Sequence, residues 1–192
     1  RGGRVATVDA RTGSITASAP LGSQLGPLAM AGDGASLYVG AKTSGELIRL
    51  ELPGLREISR TRLPSDPTLG QLHALSLAAS PIDRGVVAVA LANAVDTSFH
   101  GVALVRDGTV FPPRRPLPLG PDHLVFSDDG LDVYGVLTGI SPGSLHRLRI
   151  IEDGLRHESE FTLEGGIVNS LSIDRQDDQL VFDSWVFGTN MV

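Results

Sequence analysis

Four polar residues that precede short apolar segments offer the clearest site chemistry in this sequence. They are His73, Asp122, His123 and Asn169. Imidazole nitrogens and a carboxylate can hold a divalent metal ion or orient a small polar ligand. These residues are therefore our candidates for a ligand site at one rim of the folded domain, although a structural role is the favoured interpretation. A divalent metal is the less favoured occupant, and no other cofactor is predicted. The structural alternative is that the four residues cap strand ends or bind solvent.

The pentapeptide at residues 139–143 has the G-x-S-x-G spacing of a serine nucleophile elbow. That motif requires a strand-to-helix turn, and the backbone N–H after the serine contributes to the oxyanion hole. Pro142 follows Ser141 and has no N–H. A strand pattern, not a helical one, begins at residue 144. We therefore interpret the pentapeptide as a loop and predict no catalytic residue.

Acidic residues cluster in two turn-like segments, Asp128-Asp129 and Asp174 with Asp177 and Asp178. Neither segment has the spacing of an EF-hand calcium loop. Aspartates in such places commonly accept hydrogen bonds from the backbone of their own turn. The pattern therefore predicts turn chemistry rather than calcium binding.

The remaining histidines carry weaker signals. His146 alternates with Leu148 and Ile150 on the apolar face of a strand pattern, which predicts a buried, hydrogen-bonded residue. His100 and His157 fall in polar segments that we interpret as loops.

Composition excludes several classes of function. The chain has 192 residues, a formal net charge of −6 and no cysteine, and its single lysine is Lys42. Without cysteine there are no disulfides and no thiolate metal sites. The acidic balance disfavours nucleic acid and anionic membrane surfaces as partners. No stretch approaches the ~20 apolar residues of a membrane span.

An apolar segment, a polar turn and a second apolar segment recur about every 48 residues. The anchors of this repeat are Met30, Leu77, Phe126 and Ile173. Fixed periods of about 40–50 residues with about four short strands each are typical of β-propellers. The repeat predicts antiparallel blades whose first strand is innermost, with the four anchors buried at equivalent positions.

The strand pattern divides the chain into five segments, with the strands of each blade named a to d from the inside outwards. We predict strands c and d of one blade at 1–22, full blades at 23–64, 70–119 and 121–164, and strands a and b of another blade at 166–192. This all-β fold holds about four blades' worth of strands. It fits either a segment of a larger propeller or a closed four-bladed ring in which the terminal halves pair. We favour the segment because small rings are sterically tight.

Turn residues of the repeat point to a family. Asp9 ends a strand pattern before a Thr-Gly turn, and an Asp-Gly hairpin at 33–34 leads into Leu-Tyr-Val at 37–39. Residues 127–134 repeat the second half of this unit. The unit resembles the YVTN-type bacterial surface propeller repeat. These are turn and packing residues, so the resemblance concerns the scaffold and does not select an activity.

The resemblance implies a bacterial exported or cell-surface protein, because relatives with this repeat include surface proteins, lactonase-like enzymes and propeller subunits of redox complexes. We expect a non-enzymatic binding or interaction scaffold outside the cytoplasm, with a protein or a small polar ligand as its partner. One alternative is a lactonase-like hydrolase with a metal or acid/base group among His73, Asp122 and His123. Another is a propeller subunit of a redox complex.

Overall fold

All regular structure in the described part of the chain is β-strand, as predicted. The computed structural model describes residues 2–22, 24–93, 99–114, 120–139, 142–163, 166–174 and 179–186. The strands are β1 (Arg4–Val8), β2 (Ile15–Pro20), β3 (Leu25–Met30), β4 (Ser36–Ala41), β5 (Glu46–Glu51), β6 (Arg56–Arg62), β7 (Ser65–Asp66), β8 (Gly70–Ala79), β9 (Val86–Asn93), β10 (Phe99–Arg106), β11 (Thr109–Phe111), β12 (His123–Phe126), β13 (Asp132–Val136), β14 (Gly143–Ile151), β15 (Gly154–Leu163), β16 (Gly166–Asp174) and β17 (Gln179–Val186). None of the described residues belongs to a helix that is long and apolar enough to cross a membrane.

Consecutive strands pair antiparallel into five successive sheets. Three of them are blades, formed by β3–β6, β7–β11 and β12–β15, and hairpins β1–β2 and β16–β17 lie at the two ends. The strands β3, β8, β12 and β16 contact one another in turn, so the first long strand of each sheet is innermost. This is the arrangement of propeller blades. The two end hairpins stay separate, so the described strands form a propeller segment and do not close a four-bladed ring.

Aspartates shape the turns between strands a and b of the three blades. Each carboxylate accepts a hydrogen bond from the backbone N–H two residues later, at 2.8 Å for Asp33 and Asp83 and 2.9 Å for Asp129. The turn chemistry predicted at Asp129 is therefore confirmed. Asp177 and Asp178 lie outside the described residues.

Apolar clusters between neighbouring sheets hold the blades together. Burying one large apolar side chain contributes about 1.5–3 kcal/mol, so these clusters are the main apolar source of stability. The buried residues at their centres are Val39, Ile48 and Leu50 between the first hairpin and the first blade, Leu77, Val89 and Val105 between the first and second blades, Phe126, Val133 and Leu148 between the second and third, and Val136, Val168 and Leu171 before the last hairpin.

The predicted burial of the anchors is wrong for Met30, whose exposed fraction is 61%. Met30 pairs with Leu37, which packs toward the β1–β2 hairpin. That hairpin supplies only two strands, and they cover the outer part of the blade face. The inner strand of the first blade therefore keeps Met30 and Leu28 exposed.

The prediction that the four anchors occupy equivalent positions is also wrong for Leu77. It lies two residues before the equivalent position in its strand. The turn of the second blade is closed by a hydrogen bond from the Ser80 N–H to the carbonyl of Val86. Corresponding bonds begin at Ala31 in the first blade and Ser127 in the third. The counterpart of Met30 and Phe126 is therefore Ala79. A shift of two residues leaves the same side chains on the same face of a strand, so hydrophobicity alone does not reveal it.

A tyrosine links the first two blades. The Tyr38 hydroxyl donates a hydrogen bond of 2.6 Å to the carbonyl oxygen of Arg84. Burial raises the pKa of Tyr38 to about 12 from 10.0, so the folded state holds the phenolic proton more tightly than the unfolded chain does. This contribution to stability is fully present below pH 10.0 and is lost as the pH rises through about 12.

We expect Tyr38→Phe to lower the free energy of unfolding by about 1 kcal/mol at neutral pH, because one partly buried hydrogen bond is lost. Denaturant titration measures this loss. The same titration repeated at alkaline pH should show a smaller decline for the variant than for the native chain. Equal declines would contradict the role given to Tyr38.

Candidate functional site

The structure places the four predicted site residues near the starts of the innermost strands. His123 is the first residue of β12 and Asp122 directly precedes it, whereas His73 and Asn169 are each the fourth residue of their strands, β8 and β16. No hydrogen bond between described residues joins any two of the four. Their convergence on one ligand stays a prediction.

Asp122 is held by contacts within its own blade. Its two carboxylate oxygens accept hydrogen bonds from the backbone N–H and the hydroxyl of Thr138, both at 2.8 Å. The Asp122 N–H donates to the carbonyl of Val136 at 3.0 Å. These bonds join the start of strand a to the end of strand b. Asp122 therefore caps a strand end, which is the alternative to ligand binding named for this residue in the sequence analysis.

The other three residues differ in exposure. His123 is half-buried, and Asn169 is exposed where the register of β16 shifts between Val168 and Ser170. His73 has an exposed fraction of 2%, and its Nδ1 has no hydrogen-bond partner among the described residues. Of the four predicted site residues, His73 is therefore the one with a buried polar atom to which the described residues offer no hydrogen bond.

A cleft lies between the first and second blades, and Gln71, two residues before His73 on β8, lines it. Its volume is about 350 Å³, within the range of small-molecule sites. The lining residues are Gln24, Lys42, Thr43, Leu69 and Gln71. They come from the start of one inner strand, the loop after β4 and the start of the next inner strand. The cleft therefore opens at the end of the blades where the sequence predicts the ligand site.

The wall of this cleft is rigid on the Gln71 side. The Gln71 side-chain nitrogen lies 2.9 Å from the carbonyl oxygen of Leu63 and 3.0 Å from that of Leu72, and its oxygen accepts a bond from Arg62 Nε. A methyl group on Gly45 would lie only 2.3 Å from the Gln71 side chain. The amide of Gln71 is thus used by the scaffold, and the other polar residues of the lining are Gln24, Lys42 and Thr43.

Electrostatics connect His73 to this cleft. Burial and then the positive charge of Lys42 hold the pKa of His73 below its usual range, so its imidazole is neutral at pH 7. Gln71 and His73 alternate along β8 and lie on the same face of that strand. A half-buried ammonium next to a neutral imidazole favours an anionic ligand over a cation.

Sequence reasoning missed two features that the structure reveals. Lys42 follows a strand without any motif, and its one sequence signal is that it is the single lysine. His157 was interpreted as a loop residue but lies in β15, where it approaches His146 and Glu160. The burial predicted for His146 is confirmed. Ser141 of the pentapeptide lies outside the described residues, and Gly143 begins a strand as expected.

No protein-family model matches the sequence, and no curated protein matches it. Solved structures do match. The Kuenenia stuttgartiensis hydrazine synthase is similar with a TM-score of 0.67 and 18% identity, over 93% of this chain and 49% of that one. The β-propeller domain of Myceliophteria thermophila Cps50 (Swd1) is similar with a TM-score of 0.67 and 14% identity, over 95% and 56%. The Pseudomonas aeruginosa periplasmic gluconolactonase PpgL gives a TM-score of 0.61 and 18% identity, over 95% and 58%.

These likenesses establish the propeller fold and nothing finer, because the identities are low. The chain spans about half the length of these structures. It is therefore similar to a run of blades within larger propellers. No family model supports an assignment to the YVTN-type repeat, which remains a resemblance.

Proposed function

We propose that this propeller segment is a non-enzymatic binding scaffold whose cleft at Lys42 takes a small ligand carrying a carboxylate. The observation that carries the proposal is the cleft itself, which has a volume of about 350 Å³ and is lined by one lysine, one threonine and two glutamines. A charged group and a few polar groups in a preformed cleft are what small-molecule sites use to orient a ligand. A protein partner that presents a carboxylate side chain would be bound by the same chemistry.

Lys42 gives the cleft a positive charge. The side chain is half-buried, and no ion pair within the described residues engages its ammonium. A hydrogen bond between charged groups contributes about 1.5–3 kcal/mol, more than a neutral one. Thr43 follows directly and adds a hydroxyl that donates or accepts. His73, kept neutral beside them, adds no opposing charge.

An extracytoplasmic, bacterial setting belongs to the same proposal. It is supported by the resemblance of the turns to surface-protein repeats and by a periplasmic protein among the similar structures. Export of a fusion to a reporter that is active only outside the cytoplasm would test this location.

The single lysine makes the cleft directly observable. Reductive methylation with ¹³C labels one lysine side chain, that of Lys42, and NMR follows its resonance. Titration with succinate should move this resonance saturably, whereas the uncharged succinamide should not. In the Lys42→Met variant, followed through the backbone amide of Thr43, succinate affinity should fall about 10–100-fold because a charge-assisted hydrogen bond is lost.

Arg11→Met is the matched control, since Arg11 is an exposed cation in the turn between β1 and β2. It should leave the affinity unchanged. Equal responses to succinate and succinamide, or equal losses in the two variants, would contradict a carboxylate site at Lys42.

A further inference from the structure

Two histidines and a glutamate meet on the outer strands of the third blade, away from the cleft. One ligand atom from each of His146, His157 and Glu160 lies within 4.8 Å of the other two. His146, on β14, has an exposed fraction of 1%, whereas His157 and Glu160, both on β15, are exposed. Within the described residues, this is the one group of histidine, aspartate and glutamate close enough to hold a metal ion.

A β-bulge places the three side chains on one face. Glu160 pairs with His146, and His157 pairs with Leu148, because the register shifts between Arg147 and Leu148. Without that shift, the partner of Leu148 would be Glu158 and His157 would face the other way. The extra residue in β15 therefore turns His157 toward His146.

The scaffold itself does not need a histidine at this position. The counterparts of His146 in the first and second blades are Ile48 and Ala103, which pair with Val39 and Val89 of strand b and are fully buried. In the third blade the pairing residue is Gly135, and Pro121 and Leu124 fill the space that its side chain would occupy. A polar group in a place that two other blades fill with apolar side chains has a cost in stability, and such departures concentrate at functional sites.

In the first blade, other residues occupy the positions that correspond to those of His157 and Glu160. This blade has a register shift at the same place, between Arg49 and Leu50, and there the counterparts of His157 and Glu160 are Glu57 and Arg60. These two form an ion pair of 2.8 Å. The bulge thus places a surface ion pair on the first blade. At the corresponding positions of the third blade it places His157 and Glu160, next to His146.

The spacing of the imidazoles fits tetrahedral coordination. His146 Nδ1 and His157 Nε2 are 3.3 Å apart. Zinc–nitrogen bonds of about 2.0–2.1 Å at a tetrahedral angle require the two nitrogens to be about 3.3–3.4 Å apart. At this distance the two rings are hydrogen-bonded to each other, and an ion that binds both nitrogens replaces that hydrogen bond. His157 and Glu160 are on the exposed side, where the carboxylate has space to approach the ion.

We propose that His146, His157 and Glu160 form a zinc site on the outer strands of the third blade. Two imidazoles and one carboxylate supply three ligands, and the fourth position is open to water or to a carboxylate or imidazole from a partner. The neutral imidazoles and the carboxylate leave the occupied site with one net positive charge. The site also ties β14 to β15 beside the bulge, where the ladder is interrupted.

The test is metal binding by the untagged full chain. Purified protein stripped with a chelator is titrated with Zn²⁺ in competition with a chromophoric chelator, and Co²⁺ serves as a probe because its visible absorption is intense when it is four-coordinate. We expect one equivalent of Zn²⁺ per chain. His157→Ala should weaken affinity by more than about 100-fold, since loss of an outer partner of a ligand alone costs about 10–100-fold.

His146→Ile provides a second variant that packs as the first blade does, so a loss of binding would not reflect unfolding. Glu158→Gln is the control, because it removes a neighbouring carboxylate outside the group. Zinc should stabilise the native chain and the control against heat, but neither histidine variant. Uptake of less than one equivalent, unchanged affinity in both histidine variants, or an equal loss in Glu158→Gln would overturn the proposal. Binding that instead depends on His73 or His123 would do so as well.

Discussion

Truncation of Phe126 to alanine should lower the free energy of unfolding by about 3–5 kcal/mol. The side chain has an exposed fraction of 6% and belongs to the cluster between the second and third blades, with Val133 and Leu148. Removing the ring leaves a cavity between two sheets whose backbones are fixed by their own ladders. The sheets cannot close on that cavity without shifting a whole blade. Urea titration at constant m-value measures the loss.

Met30→Ala is a control matched by position, because Met30 occupies the same place in the first blade but is largely exposed. We expect a change within about 0.5 kcal/mol there, as for most surface substitutions. A loss of less than about 1 kcal/mol for Phe126→Ala would mean that the blades pack less tightly than described.

Gly32→Ala should cost at least about 3 kcal/mol, the upper part of the range for overpacking. A methyl group on Gly32 would lie 2.0 Å from the carbonyl oxygen of Pro81 and 2.5 Å from its Cα. These are backbone atoms of the next blade's turn, so no side-chain rotation relieves the clash. The Gly32 N–H also donates a bond of 3.1 Å to the carbonyl of Ser80. One substitution thus removes both the close approach and the hydrogen bond that couple two inner turns.

Gly54→Ala is the comparison, since a methyl group there meets nothing within 4 Å. Gly54 lies in the turn between β5 and β6, away from any neighbouring blade. Its substitution should leave thermal stability unchanged or slightly raised, because alanine restricts the unfolded chain. If the two variants melted at the same temperature, the tight contact at Gly32 would be refuted.

Local patterns are sufficient to predict every strand except β7. Strand β4 has the predicted bounds because an Asp-Gly turn precedes it and a run of apolar residues fills it. Gly34 has a φ of 67°, which glycine adopts without strain. The short strand β7 was not predicted, because two residues carry no periodicity. Its pairing depends on the neighbouring strand rather than on its own sequence.

The candidate sites were harder to predict, because they depend on register and neighbours. The rim prediction names residues at the end of the blades where the cleft lies, but it does not name Lys42, whose positive charge acts on His73. The pairing of His146 with His157 depends on one extra residue in β15. A bulge has no fixed sequence signature, so the sequence alone leaves His157 on either face. The prediction of His73 depends on an anchor that is shifted by two residues, yet Gln71, on the same face of β8, lines the cleft.

The order of strands within each sheet has a further consequence for how the chain folds. Every ladder joins strands that are consecutive in sequence, so each hairpin can form before distant parts of the chain meet. Closing a short connection between consecutive strands costs less chain entropy than pairing strands from distant parts of the chain. Each sheet also touches mainly its neighbours along the chain, as in a linear array whose stability is the sum of units and interfaces. Amide protons of the fully buried strand β9 should then exchange with solvent more slowly than those of β6, the largely exposed outer strand of the first blade.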